Sequence, residues 1–306
     1  MDTPVTIAHL SDVHLGPIAG FDPPYWNLKR AMGYYNWVRN RRHAYQRAVL
    51  DRLVADMHAE GPDHIAVTGD LVNIGLPQEH IRALAWLEGL GHPQRVTVIP
   101  GNHDIYSHIG RDPGTRRWAP YMVSDARGAA LAGEGADYPF VRVVAQVALV
   151  AVNSAVPTPP VIAWGRVGGD QLTRLAALLD RLRQANLFRI VLIHHPPLPG
   201  QAPRARGLRD AAALERVLAQ HGAELVIHGH NHLNMLAWGQ GASGRFPVVG
   251  APSASLGQRH KREPLARYNL YRISGPARGI EMIGRGLAEP DGAVVELERR
   301  MLVPSM

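Results

Sequence analysis

The sequence contains no cysteine among its 306 residues. Disulfide bonds, zinc sites with thiolate ligands and cysteine nucleophiles are therefore excluded. The absence agrees with a reducing compartment. The first predicted strand also begins so near the N-terminus that we recognise no signal peptide. We therefore expect a cytoplasmic protein.

The sequence also lacks a long uninterrupted hydrophobic run. Its longest apolar stretch, residues 141–156, contains Arg142, Gln146, Asn153 and Ser154. A membrane-spanning helix needs about 20 predominantly apolar residues, so this stretch indicates two successive strands instead. Repeats, low-complexity tracts and linkers are missing as well. Hydrophobic residues make up 46% of the chain, enough for a large core, and we expect residues 1–306 to form one domain.

Acidic residues are outnumbered by basic ones. Twenty-six aspartates and glutamates face 33 lysines and arginines, which gives a formal net charge of +7. Such a charge favours anionic partners, namely phosphates, nucleic acid or a membrane surface. The simpler alternative is a basic surface without a particular partner.

Polar side chains follow the ends of five predicted strands. The first strand, residues 5–10, precedes Asp12 and His14, which can aim at one point because side chains two apart share a side of an extended chain. The same spacing recurs at His230 and His232. Helices separate several of these strands, which indicates an α/β sheet with a site along its carboxyl edge. The side chains at these strand ends are Asp12, His14, Asp70, Asn102, His103, His194, His230 and His232.

The wider pattern predicts two sheets packed face to face with helices outside. One helix is predicted over residues 77–91, where helical spacing places Ile81, Leu84, Ala85 and Leu87 on the buried face. After residue 228 the chain alternates short predicted strands and turns.

The polar set offers too many ligands for a single ion. Two carboxylates, one amide oxygen and four imidazoles suit two divalent ions about 3.5–4 Å apart, bridged by one carboxylate. Asp70 is the natural bridge, because it stands alone at the end of an apolar strand. Gly69 before it removes a side chain where the backbone must pass close to the site. Oxygen and nitrogen ligands without thiolate suit Mn, Fe or Zn, and the sequence leaves this choice open.

The order of the motifs resembles the calcineurin-like metallophosphoesterase superfamily. The motifs are Asp-x-His, Gly-Asp, Gly-Asn-His-Asp, His and Gly-His-x-His, and they span Asp12 to His232. The resemblance implies a four-layer α/β/β/α sandwich of two mixed sheets flanked by helices. It also implies a dinuclear hydrolase with its metal site at the carboxyl ends of the strands. In that superfamily a metal-bridging hydroxide attacks the phosphoester.

The resemblance also implies roles for individual residues. His103 would be catalytic beside the scissile phosphate, either donating a proton to the leaving oxygen or stabilising phosphoryl charge. Asp70 would be catalytic as the bridge between the ions. Asp104 could orient His103 or cap a turn. The metal ligands would be Asp12, His14 and His232 for one ion, Asn102, His194 and His230 for the other, and Asp70 for both.

An unusual segment at about residues 17–42 follows the first strand. Its mixture of aromatic and basic side chains suits an interfacial helix or a lid over an amphipathic substrate. The alternative is a helical excursion that packs its aromatic side chains on the core, and the sequence leaves both open. A second basic segment, residues 201–209, carries three arginines, and we interpret it as a solvated loop rather than a phosphate clamp.

Two substrate classes remain open. The run His194-His195-Pro196-Pro197 and the chain length resemble bacterial 3′,5′-cyclic-nucleotide phosphodiesterases, which predicts a cyclic nucleotide or related phosphodiester. The 17–42 insert instead resembles the UDP-2,3-diacylglucosamine pyrophosphatases of lipid A synthesis. That resemblance predicts an anionic lipid substrate and peripheral contact with the inner membrane face. Nucleic acid is not expected as a partner, because we identify no second domain to grip a duplex. A metal-free interaction module is the interpretation from another class, and the intact ligand set argues against it.

Overall fold

The computed structural model describes residues 4–18, 23–108, 110, 112–133, 137–242, 244–260, 262–274 and 279–303. Residues 19–22 of the predicted insert lie outside the described residues. The strands in chain order are β1 Val5–Leu10, β2 His64–Val67, β3 Val96–Val98, β4 Phe140–Val144, β5 Val147–Ala151, β6 Phe188–Leu192, β7 Leu225–His228, β8 Met235–Gly241, β9 Gly244–Gly250, β10 Arg267–Ser274, β11 Gly279–Leu287 and β12 Val294–Val303.

The strands form two mixed sheets of six. The first has the order β12-β11-β10-β1-β2-β3 and the second the order β4-β5-β6-β7-β9-β8. In the first sheet β1, β2 and β3 run parallel, while β10, β11 and β12 pair antiparallel. In the second sheet β5, β6, β7 and β9 run parallel, with an antiparallel strand at each edge. Parallel strands end at the same edge, so each sheet gathers its loops there.

Helices cover the outer face of each sheet. Helices α2 and α3 pack on the first sheet through Leu50, Leu53, Met57 and Leu87, while α5 and α6 pack on the second sheet through leucines such as Leu175. These side chains recur at helical spacing, which gives each helix one apolar face. The helices are α1 Leu28–Asn36, α2 Arg47–Ala59, α3 Pro77–Leu90, α4 Ala126–Ala132, α5 Gly169–Gln184 and α6 Ala211–His221.

A third apolar layer lies between the two sheets. Ile7 and Ala66 of the first sheet meet Leu149, Ile190 and Ile227 of the second in one buried cluster. Side chains alternate between the two faces of each strand. These central strands carry apolar side chains on both faces, because helices cover one face and the opposite sheet covers the other. The four-layer α/β/β/α sandwich expected from the sequence is confirmed.

The predicted buried face of α3 is wrong in part. Leu87 is buried as expected, but Ile81 is 43% exposed and the inward face instead runs through Ala83, Trp86 and Leu90. Trp86 is larger than Ile81 and removes more apolar surface from water, so the helix turns this side toward the sheet.

The insert combines features of both sequence interpretations. It continues from α1 into a π-helix over Trp37–Arg41. Trp26 and Trp37 pack against a small apolar cluster that includes Ile74, as a core excursion would. Leu28, Met32 and Tyr35 remain exposed, as an interfacial surface would.

Two buried basic side chains fasten the insert to the site loops. The Arg30 side chain donates five hydrogen bonds to backbone carbonyls, namely those of Tyr25, Ile74, Gly75, Ser107 and His108. Lys29 donates to the carbonyls of Tyr106 and Thr158 and to the Thr158 hydroxyl. The insert is therefore held against the loop that follows β3. No helix in the described ranges has the length and apolar character needed to cross a membrane.

Candidate metal centre

Strand register brings the predicted polar side chains to one edge of the sandwich. Leu10 of β1 pairs with Val67 of β2, and Val67 pairs with Val98 of β3. The parallel strands β6 and β7 of the second sheet are likewise aligned, with Leu192 beside Ile227. The loops after these five strands therefore leave the sandwich side by side. They carry Asp12, His14, Asp70, Asn102, His103, His194, His230 and His232.

The backbone at this edge adopts an uncommon conformation. Asp12, His14, Asp70, His230 and His232 all have positive φ angles, between 45° and 69°. Residues with a Cβ seldom occupy this region, and in folded proteins such residues concentrate at functional sites. The surrounding loops thus hold the backbone in a form that turns these side chains inward.

Close backbone approach explains two of the motif glycines. Gly69 has a φ of 92°, and a Cβ there would overlap the backbone of Gly101. A Cβ at Gly229 would overlap Ser11 and the Asp12 carboxylate. The glycines therefore allow neighbouring site loops to touch, as the sequence predicted for Gly69.

The inward side chains form two clusters that share one carboxylate. In each cluster the potential ligand atoms all lie within 4.8 Å of one another. Asp70 belongs to both, with Oδ2 at 3.4 Å from Nε2 of His194 and 3.9 Å from Nε2 of His14. Its other oxygen, Oδ1, accepts a hydrogen bond from the backbone N–H of His103 at 2.8 Å. The clusters are Asp12, His14, Asp70 and His232, and Asp70, His194 and His230.

Asn102 belongs beside the second cluster. Its Oδ1 lies 3.2 Å from Nε2 of His194 and 2.8 Å from Nδ1 of His230. An amide oxygen between two imidazole nitrogens is a hard ligand next to two borderline ones, which suits a divalent metal. All seven side chains predicted as metal ligands are thus brought together.

Hydrogen bonds set the tautomers of the imidazoles. His14 donates from Nδ1 to the carbonyl of Val72 at 3.1 Å, and His194 donates from Nδ1 to the carbonyl of Thr68 at 2.7 Å. A carbonyl only accepts, so these Nδ1 atoms carry hydrogen and each Nε2 can offer a lone pair to the cluster.

The polar atoms left inside the clusters fit a cation. Nε2 of His14 and Nε2 of His232 face each other at 3.3 Å, and Oδ1 of Asp12 lies 3.1 Å from Nε2 of His232. Oδ1 of Asp12 is buried and makes no hydrogen bond with the described residues. Several lone pairs converge here with no hydrogen-bond donor between them. A metal ion requires this arrangement.

Charge in the clusters supports the same conclusion. Burial alone would raise the pKa of Asp12, but the nearby imidazoles of His232 and His194 together outweigh it and lower the pKa to about 2. Burial would lower the pKa of His194, but the carboxylates of Asp70 and Asp12 and the hydrogen bond to the Thr68 carbonyl together raise it to about 9. The buried carboxylates thus attract positive charge, which divalent ions can supply.

The neighbouring side chains of His103 and Asp104 make different contacts. The His103 ring stacks on Tyr106, its Nδ1 is held by the carbonyl of Asn73, and its Nε2 faces the pocket. Burial lowers the pKa of His103 to about 4. The Asp104 carboxylate accepts four backbone N–H bonds, from residues 70, 71, 72 and 101. Asp104 therefore ties two site loops together, so capping accounts for it.

The profile of the calcineurin-like phosphoesterase family matches residues 5–234. The chain belongs to the calcineurin-like phosphoesterase family. It is therefore a metallophosphoesterase, a hydrolase of phosphoesters, and its clustered aspartates and histidines form a divalent metal site.

Two curated relatives of this metallophosphoesterase are phosphodiesterases. A probable cyclic nucleotide phosphodiesterase of Synechococcus sp. is 28% identical over 241 residues, which cover 78% of this chain and 76% of the relative. A cAMP/cGMP dual specificity phosphodiesterase of Mycobacterium tuberculosis is 27% identical over 195 residues, which cover 60% of this chain and 53% of the relative.

Solved structures agree on the fold. A dimetal phosphatase from Danio rerio superposes with a TM-score of 0.58 at 16% identity, covering 97% of this chain and 99% of that one. Purple acid phosphatase PPD1 from yellow lupin gives a TM-score of 0.54 at 12% identity, covering 97% and 53%.

Several residues that line the metallophosphoesterase pocket were not predicted from the sequence. Arg41 of the insert and Arg206 of the 201–209 loop border the same small cavity of about 140 Å³ as Asp70 and His103. The interpretation of residues 201–209 as only a solvated loop is incomplete, although Arg206 is exposed. The local sequence of an irregular loop does not predict which pocket its arginines will line. In both segments the sequence showed only an excess of basic residues.

Proposed function

We propose that this metallophosphoesterase hydrolyses phosphodiesters with two divalent ions. One ion would be held by Asp12, His14 and His232, the other by Asn102, His194 and His230, with Asp70 between them. The observation that carries the proposal is that two clusters of converging lone pairs share a single carboxylate oxygen, Oδ2 of Asp70. Ions bound there would lower the pKa of a bound water and offset the negative charge of the phosphoryl group. Mn, Fe and Zn all suit these ligands.

The protein's own groups keep the ligands and the catalytic histidine in fixed positions. Asp70 is anchored through Oδ1 on the backbone of His103, so Oδ2 alone points into the cluster. Because Nδ1 of His103 is held by Asn73, Nε2 is the atom that can meet the leaving oxygen or the phosphoryl group. We assign His103 this catalytic role, since its ring lines the pocket beside Asp70.

Arg41 and Arg206 are suited to bind the phosphate. Nη1 of Arg41 lies 3.5 Å from Nε2 of His103, and Arg206 borders the same cavity. Guanidinium groups donate several hydrogen bonds to phosphate oxygens in a fixed plane. Two of them beside the metal clusters favour an anionic ester as substrate.

A cyclic nucleotide or related phosphodiester is our first candidate substrate. The names of both curated relatives support it. The metal pocket itself has space for little more than a phosphate. A larger groove of about 550 Å³ lies next to it, lined by Tyr35, Tyr106 and Val161, where the remainder of a substrate could rest. Tyr106 connects the two, because its ring also stacks on His103.

A lipid pyrophosphate is the second candidate, and one specific observation favours it. Met32, Tyr35 and Val161 line this larger groove and are exposed, with Val161 80% exposed, and Leu28 of the same insert is 69% exposed. Arg39 and Arg42 are exposed in the same insert, and residues 28–47 contain no acidic side chain. Exposed apolar side chains flanked by cations suit an anionic membrane surface at the inner face of a cytoplasmic membrane, as UDP-2,3-diacylglucosamine would require.

Phosphorus NMR of the manganese-loaded protein tests the proposal. Cyclic AMP and UDP-2,3-diacylglucosamine are supplied together in detergent. Conversion of cyclic AMP alone supports the first candidate, and loss of the pyrophosphate signals alone supports the second. If neither changes and the protein binds less than one ion per chain, the phosphodiesterase proposal is wrong and the fold serves as a metal-free interaction module.

A further inference from the structure

Glu263 lies against the metal centre from a segment beyond the family match. Its Oε2 is 2.9 Å from Nδ1 of His232 and accepts a hydrogen bond from the Tyr45 hydroxyl at 3.0 Å. The Tyr45 hydroxyl is itself 3.0 Å from Nδ1 of His232. The three groups form a closed triangle, with corners from the segment just before α2, the Gly-His-x-His motif and the loop before β10.

This triangle sets His232 apart from two other imidazoles of the site. His14 and His194 are each oriented by a backbone carbonyl, which no substitution removes. His232 is oriented by two side chains instead. Its tautomer and its direction therefore depend on which residues stand at positions 45 and 263.

The chemistry of the carboxylate fixes the hydrogen on His232. An ionised carboxylate only accepts hydrogen bonds, so Nδ1 of His232 must donate to Glu263. Nε2 then carries a lone pair beside Oδ1 of Asp12, 3.1 Å away, so that both atoms can bind the same ion. A carboxylate behind a ligating imidazole also makes the imidazole a stronger base.

We propose that Glu263, assisted by Tyr45, is a positioning residue for the ion held by Asp12, His14 and His232. The proposal rests on the two-ion function above. The Glu263 side chain is 21% exposed, and its hydrogen bonds to the described residues go to His232 and Tyr45 rather than to Asn102, His194 or His230, so we expect its effect on one ion of the two. Loss of such a partner typically weakens metal affinity by about 10–100-fold.

Manganese titration followed by electron paramagnetic resonance and by metal analysis tests the inference. Glu263→Ala is expected to weaken one of two ions by about 10–100-fold and to leave the other within about threefold. Tyr45→Phe keeps the ring and is expected to give a smaller loss at the same ion. Glu281→Ala is the matched control, because that carboxylate pairs with Arg272 and Arg299 away from the site.

Two variants that each retain one ion show which ion loses affinity when Glu263 is replaced. In His194→Ala the remaining ion belongs to the Asp12 group, and adding Glu263→Ala should weaken it further. In His14→Ala the remaining ion belongs to the other group, and adding Glu263→Ala should leave its affinity unchanged. Glu263→Gln keeps the shape of the side chain and provides the test if Glu263→Ala lowers the unfolding temperature.

Three results would overturn the inference: unchanged affinity for both ions, parallel weakening of both, or weakening only in the His14→Ala background. A protein that binds two ions tightly whatever residue stands at 263 would refute the role of Glu263 alone. A wild-type protein that binds no manganese would refute the two-ion function itself.

Discussion

Nη1 of Arg41 lies 3.5 Å from Nε2 of His103. This contact joins the final residue of the π-helix to the loop after β3 that carries His103. Single π-turns are common at functional sites, because they shift the residues around them out of helical register. The guanidinium also lies 5.3 Å from the centre of the Tyr45 ring, so the insert forms one wall of the pocket.

Replacing Arg41 should weaken substrate binding without removing metal. Arg41→Met removes a charge-assisted donor worth about 1.5–3 kcal/mol, so kcat/KM for a phosphodiester should fall about 10–100-fold. Steady-state kinetics and metal analysis together measure this. Arg39→Met is the control, because Arg39 is exposed and bonds only to the Tyr35 hydroxyl among the described residues. Equal losses in the two variants would mean that general charge, not contact with phosphate, explains the effect.

Replacing His103 should remove turnover and spare the metals. His103→Ala takes away the imidazole that we propose to meet the leaving oxygen or the phosphoryl group, and acid–base catalysis by such a group is worth about 10²–10⁴-fold. We expect kcat to fall in that range while two ions per chain remain. His58→Ala on the exposed face of α2 is the control. Loss of metal from His103→Ala would show that His103 is a ligand.

Replacing Asp70 should weaken both ions together. The shared oxygen, Oδ2, lies near His14 and His194, so Asp70→Ala removes a ligand from each cluster. His194→Ala should weaken only one ion and so provides the comparison. Metal analysis after dialysis against graded chelator distinguishes the two patterns. One fully occupied ion in Asp70→Ala would contradict the bridge.

Replacing Arg30 should loosen the insert. Arg30 is 1% exposed and donates five hydrogen bonds to backbone carbonyls, which Arg30→Met leaves without these donors. We expect the free energy of unfolding in urea to fall by about 3 kcal/mol or more. Arg47→Met is the control, since its ion pair with Asp51 is more than half exposed and worth less than about 1 kcal/mol. Similar values for the two variants would show that Arg30 does not fasten the insert.

The helices show how much of the fold hydrophobic periodicity can predict. Helical spacing over residues 77–91 was sufficient to predict α3, whereas α4 has only seven residues, with Gly128 as the buried one, and was not predicted. The orientation of α3 was predicted in part, because helical spacing alone could not weigh Trp86 against Ile81. Such choices depend on the partner surface, which the sequence of one helix does not contain.

The sequence by itself determined which polar side chains meet at the candidate metal centre. Asp12, Asp70, Asn102, His194 and His230 each lie within four residues of the end of a buried strand, so local pattern and parallel pairing were sufficient to bring them to one edge. The tertiary structure alone decided what surrounds it. Tyr45 and Glu263 are 218 residues apart in sequence and meet at His232. Arg41 lies beside His103, 62 residues away in sequence, in an insert that Lys29 and Arg30 fasten to the site loops. These residues lie in segments other than the ends of the parallel strands. Their local sequence has no periodicity that predicts which distant group each side chain will contact.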